Sequence, residues 1–153
     1  MSAAARPGGV ATIVTGVIGS DTHIVGNRIL SMALEKAGYK VVALGALTPP
    51  AEFVKAAVET NADAILVSSL YGQGELDCRG FRDLCVEAGL DEILLYAGGN
   101  LIVGKHPWEV VERIFLDMGF DRAAGPGTRV ETVLEWLSRD LVARRRRAEG
   151  TTA

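Results

Sequence analysis

The sequence predicts an α/β fold, a doubly wound parallel sheet with helices on both faces. Three observations carry that reading. Five short apolar runs rich in β-branched residues alternate with amphipathic runs of helical period. Amphipathic runs close at glycine, as at Gly38, Gly89 and Gly119. Small residues gather just after the first, third and fourth apolar runs, where strands of such a sheet end.

The elements follow in order. Residues 1–9 read as a flexible leader, residues 10–142 as one domain and residues 143–153 as a basic, disordered tail. Val10 to Ile18 is the first strand. The next helix carries Ile29, Leu30, Ala33, Leu34 and Ala37 inward and stops at Gly38. Tyr39 to Leu44 is the second strand. Thr48 suits an N-cap and Pro50 an early helical position, with Phe53, Ala56, Ala57 and Thr60 facing inward behind them. Ala62 to Val67 is the third strand, and one helix bearing Cys78 and Cys85 follows it, ending near Gly89. Glu92 to Ala97 is the fourth strand. Pro107 opens a helix with Val110, Val111, Ile114, Phe115 and Met118 inward, and His106 caps it. A short fifth strand lies near Phe120. Thr128 and Glu131 form a capping box for the last helix, whose stripe is Val130, Val133, Leu134, Leu137 and Leu141. Right-handed crossovers make the flavodoxin-like (Rossmann-like) order 2-1-3-4-5 the natural topology for a five-stranded, single-domain chain.

Composition narrows the function classes. With 48% apolar and 23% charged residues the chain is an ordinary globular domain, and 153 residues suffice for one full core. A net charge of −3 argues against non-specific nucleic-acid binding, which needs a basic face. The basic run Arg144 to Arg147 reads as a solvated helix end opposite the negative dipole terminus. No run approaches a membrane span and the N-terminus lacks a secretory core, so the expectation is a cytoplasmic protein with no membrane partner. Cys78, Phe81, Cys85 and Ala88 share one helical face, which makes the two cysteines buried thiols rather than metal ligands.

The chemistry concentrates in Gly19-Ser20-Asp21-Thr22-His23-Ile24-Val25-Gly26, between the first strand and the first helix. A carboxylate two residues before an imidazole can hydrogen-bond one ring nitrogen in an irregular loop. The other nitrogen then becomes an oriented, more basic metal ligand. His23 is therefore the candidate metal ligand and Asp21 the carboxylate behind it. Under the predicted order the loops after strands one, three and four are neighbours on one edge. They carry Asp21, His23 and Gly26; Ser68, Leu70 and Gly72; and Gly98, Gly99 and Asn100. Glycine admits close approach to backbone, so the three loops describe a crevice for a long guest. Singly, each has a plainer reading: a tight turn at Gly98-Gly99, helix caps at Ser68 and Ser69, a solvated histidine at His23.

Asp-x-His-x-x-Gly at 21–26, Ser-x-Leu at 68–70 and Gly-Gly at 98–99 resemble the signature of cobalamin-binding domains. More narrowly, GVIGSDTHIVGN, VSSLYGQGELDC, GGNLIVGK and MGFDR resemble the small subunits of glutamate mutase (methylaspartate mutase), from about Val10 to the last helix. The resemblance implies adenosylcobalamin as cofactor, with His23 replacing the dimethylbenzimidazole base as lower cobalt ligand and Asp21 hydrogen-bonded to it. The displaced nucleotide tail would enter the crevice. Its implied binding residues are Ser20, Asp21, Thr22, His23, Ile24, Gly26, Ser68, Ser69, Leu70, Tyr71, Gly72, Gly98, Gly99, Asn100, Leu101, Ile102, Val103 and Gly104. Ser68 would supply a hydroxyl to the buried base. The implied partner is a larger barrel-type catalytic subunit in a hetero-oligomer. The implied reaction is the radical interconversion of L-glutamate and L-threo-3-methylaspartate, with no catalytic acid or base from this chain. One departure is Ala123-Ala124-Gly125-Pro126, where the family carries bulkier residues against the tail.

Rivals fail or weaken on particular residues. Another mutase of a specialised pathway shares every motif, because substrate choice lies in the partner. A methyl-transferring corrinoid protein usually carries a helical cap before the first strand, where only about nine residues stand here. Gly99 to His106 nearly matches a phosphate-binding loop, but His106 cannot give the hydroxyl that magnesium needs. A phosphoacceptor domain needs an aspartate after strand three, where this chain has Ser68-Ser69-Leu70.

Overall fold

A computed structural model describes residues 5–6, 9–18, 25–69, 74–99, 101, 106–125 and 127–151. Its sheet has strands β1 (Thr12–Val17), β2 (Lys40–Ala43), β3 (Ala64–Ser69), β4 (Leu94–Gly99) and β5 (Arg122–Ala124). All pairings are parallel and the order is 2-1-3-4-5, as expected. Ala5–Arg6, in the segment read as a leader, pairs antiparallel with Gly9–Val10, which reaches into the stretch read as the first strand.

Helices are α1 (Val25–Lys36), α2 (Pro50–Thr60), α3 (Gly74–Cys78), α4 (Phe81–Glu87), α5 (Trp108–Asp117) and α6 (Val130–Thr151). The cysteine-bearing segment is thus two short helices rather than one, broken at Gly80, whose φ of 78° is left-handed. Cys78, Phe81 and Cys85 are still all buried, while Ala88 is an exposed C-cap. Burial pushes the Cys78 thiol up to about 12.

Each sheet face has its own core. On one side Val14, Ile65, Val67 and Leu95 pack against Phe53, Phe81 and Phe115. Gly16 is required here: an added Cβ would stand 2.8 Å from the Phe53 ring. On the other side Ile13, Leu66, Leu94 and Tyr96 meet Leu34 of α1 and Leu137 and Leu141 of α6. Alternation along the strands produces this division.

Several local expectations shift. Among the described side chains of α1 the buried ones are Asn27, Ser31 and Leu34, and Ile29 is exposed. Val110 of α5 is also exposed. Pro49, not Thr48, is the N-cap of α2, and the Thr48 hydroxyl instead donates to the Gly45 carbonyl at 3.1 Å. Pro107 occupies the N-cap of α5 and makes no side-chain cap bond. The capping box does not form as expected, because α6 starts at Val130 and Glu131 pairs with Arg129 at 3.3 Å.

α6 is fastened to the sheet at two levels. Asp140 accepts from the Tyr96 hydroxyl and from Arg122 Nε and Nη2 at 2.7 and 3.0 Å. Burial pushes the Asp140 carboxyl up, but its bonds from Arg122 and Tyr96 outweigh that and hold it below the usual carboxylate range. Arg122 also lies over the Trp136 ring. Farther along, Arg144 is no solvated helix end. It donates to the Glu92 carbonyl at 2.8 Å and to the buried Asp63 carboxylate at 3.0 Å. Asp63 in turn accepts from the Thr12 amide, so α6 is tied to the starts of β1 and β3. Among the described residues, no helix is long and apolar enough to cross a membrane.

Candidate functional site at the carboxyl edge of the sheet

Ser68 and Ser69 end β3 and Gly98 and Gly99 end β4, two residues beyond the boundaries that periodicity suggests. Serine and glycine read as loop, yet the ladder continues through them. Val17, Ser68, Gly98 and Ala124 stand in register across the four strands β1, β3, β4 and β5. The two central strands therefore present a hydroxyl and a bare backbone side by side at the edge where parallel sheets bind ligands.

The two glycines differ in kind. Gly99 has φ 106°, a backbone that only glycine adopts without strain. Gly98 has no such constraint. Among the described residues a Cβ there would meet only Ala124, at 3.5 Å from its Cβ and 3.6 Å from its oxygen, which is ordinary contact. Neither conformation nor packing within the described residues demands glycine at 98. The departure at Ala123-Ala124 bears on the same spot: Ala124 is the neighbour of Gly98, while Ala123 is buried in the opposite core.

By alternation Ser68 and Gly98 lie on the face covered by α1 and α6, and Ser69 lies on the other. Ser68 is half-buried and Ser69 buried. Asn27, in the first turns of α1, donates through Nδ2 to Ser68 Oγ at 3.1 Å and to the Gly16 carbonyl at 3.4 Å. One turn on, Ser31 and Thr15 hydroxyls bond at 2.9 Å, both buried. These polar residues were missed in the sequence. Their signal was available: Asn27, Ser31 and Leu34 fall on one face of α1, and polar side chains on a buried stripe need partners.

Not every expected residue joins this edge. Leu101 is buried in the α2, α4 and α5 core, so only its backbone could meet a guest at the crevice. Gly26 lies in the first turn of α1, beside Asn27. Ser20, Asp21, Thr22, His23, Ile24, Leu70, Tyr71, Gly72, Asn100, Ile102, Val103 and Gly104 lie outside the described residues.

What the described edge offers is chemically clear. It has a small-residue floor, one hydroxyl held by an amide and walls from α1 and α6. That suits a flat or slender guest with a hydrogen-bond acceptor. Comparison with known proteins narrows the guest. The B12 binding domain family matches residues 11–135. The chain is 59% identical over 130 residues to the glutamate mutase sigma subunit of Clostridium cochlearium, covering 85% of this chain and 95% of that one. It is 58% identical, with the same coverages, to the glutamate mutase sigma subunit of Clostridium tetani. In fold it is similar to a cobalamin-binding protein from Desulfitobacterium hafniense, with TM-score 0.69 and 21% identity, over 85% of this chain and 58% of that one.

Proposed function

The chain belongs to the family of B12-binding domains, and from that membership we propose that it is the cobalamin-binding small subunit of a glutamate mutase. It acts with a larger subunit to interconvert L-glutamate and L-threo-3-methylaspartate. The observation that carries the reading onto this chain's own residues is the register of Ser68 with Gly98. A glycine that neither its backbone conformation nor packing among the described residues explains stands beside a hydroxyl held by Asn27. Both fit a nucleotide tail running along the sheet edge between α1 and α6.

In this reading His23 would hold the cobalt of the cofactor and Asp21 would fix its ring by a hydrogen bond. When bound, adenosylcobalamin supplies a weak cobalt–carbon bond whose homolysis starts the radical rearrangement. The chain's residues hold and orient the cofactor. Ser68 would donate to the displaced base, Gly98 and the turn at Gly99 would leave room for it, and Gly26 would let the first turn of α1 approach the tail. The partner would be a barrel-type subunit that binds the amino acid, in a cytoplasmic hetero-oligomer.

Mixing the protein with adenosylcobalamin tests the reading. The expected result is the base-off spectral shift. In the cob(II)alamin complex, electron paramagnetic resonance with nitrogen-15 histidine should change the axial nitrogen splitting, and His23→Gly should abolish that change. An unaltered splitting in the unsubstituted protein refutes histidine ligation.

A further inference from the structure

We propose that Asn27 is a positioning residue that sets the polarity of the Ser68 hydroxyl, making Ser68 a donor toward the base in the crevice. The proposal rests on the nucleotide-tail reading above. A serine hydroxyl carries one donor and two acceptor lone pairs, and its neighbours decide where the hydrogen goes. Here Asn27 Nδ2 donates to Ser68 Oγ at 3.1 Å, occupying a lone pair. The amide's orientation follows from its second contact, since the Gly16 carbonyl at 3.4 Å can only accept. Asn27 is itself buried, so its polar end has reason to stay where these partners are. Among the described residues Asn27 is the only side chain bonded to Ser68. The hydroxyl hydrogen is thereby directed away from α1.

That direction matters for the chemical class of guest. A benzimidazole nitrogen released from cobalt is a neutral acceptor with an in-plane lone pair. Buried without a donor, it carries a desolvation penalty. A hydroxyl with its hydrogen turned toward α1 would oppose lone pair to lone pair. Asn27 prevents that arrangement, because a primary amide nitrogen accepts nothing. The remainder of the cofactor, corrin ring and side chains, does not depend on the hydroxyl.

The test compares cobalamin with cobinamide, which lacks the nucleotide base, on the full chain at pH 8. Asn27→Asp keeps the shape but offers only acceptors, so Ser68 must donate to α1. Expected is a roughly ten- to hundredfold loss of cobalamin affinity with cobinamide affinity unchanged. Ser68→Ala should show the same selectivity, and the double variant should lose no more than Ser68→Ala alone. Asn27→Ala removes the amide without adding an acceptor and should lose a few-fold. Equal losses for both ligands, wild-type cobalamin binding by Asn27→Asp, or additive losses in the double variant overturn the proposal. Failure of both Asn27 variants to fold overturns it as well, by making the amide structural. If Ser68→Ala leaves cobalamin binding intact, it is the tail reading itself that fails, whatever Asn27 does.

Discussion

Gly98→Ala separates folding from binding, because the geometry gives the two effects opposite signs. Gly98 lies outside the left-handed region, so alanine adopts its backbone without strain. Among the described residues the new methyl would touch only Ala124, at 3.5 and 3.6 Å. Restricting the unfolded chain should then raise stability by about 0.4–1 kcal/mol. With a base against the strand, the same methyl overfills the crevice at a cost of about 1–3 kcal/mol. That corresponds to roughly 5- to 150-fold weaker cobalamin binding. Gly99→Ala is the control. At φ 106° it should destabilise the unliganded fold by about 1–2 kcal/mol. Denaturant unfolding of the cofactor-free protein and spectral titration with cobalamin and cobinamide read both quantities. A Gly98→Ala protein that folds normally and binds cobalamin like the unsubstituted chain would falsify the placement of the tail beside β4.

Leu47 is exposed and holds φ 58°, so Leu47→Asn should stabilise the fold by about 0.5–1 kcal/mol in denaturant melts; a loss there would mean that the side chain packs more than its exposure suggests. Arg144→Met keeps the stem but removes the donors to Asp63 and Glu92, and should lower stability by about 2 kcal/mol without altering cobalamin affinity. The Asp140 carboxyl, held low, contributes stability that is complete above its unfolded value near pH 4 and is lost as pH falls through the lower folded value. Asp140→Asn should therefore be less stable at pH 7 yet lose less on acidification, as equilibrium unfolding between pH 7 and 3 would report.

The fold was legible because its signals are redundant. A fully buried β1 can only be a central strand, and a chain alternating such runs with amphipathic helices has few topologies open to it. What escaped prediction was settled by contacts distant in sequence. Ile29 looks apolar and inward by spacing, but α1 turns Asn27 and Ser31 to the sheet because Thr15 and Ser68 wait there with hydroxyls. Arg144 looks like a solvated charge until Asp63, far back in the chain, is seen buried beneath it. The strand ends were misplaced for a related reason. Ser68, Ser69, Gly98 and Gly99 have poor strand propensity, yet pairing from the neighbours carries the ladder through them.

Those same misplaced residues are where local preference and global structure disagree, and the disagreement is informative. A strand interior ordinarily closes with β-branched side chains, as β1 does at Val17. β3 and β4 instead finish with serine and glycine in register, giving up side-chain burial at the middle of the sheet. A fold optimised for its own stability would fill that position. Among the described residues Gly98 could carry a methyl without clash and does not, and Ser68 is supported by a buried amide rather than by apolar packing. Forgone packing at the one edge where this architecture binds ligands is what a sheet shaped around a guest should show. On that view the opposite responses expected of Gly98→Ala, firmer folding and weaker binding, would follow from one physical cause: a guest that takes the place of the missing side chain of the sheet.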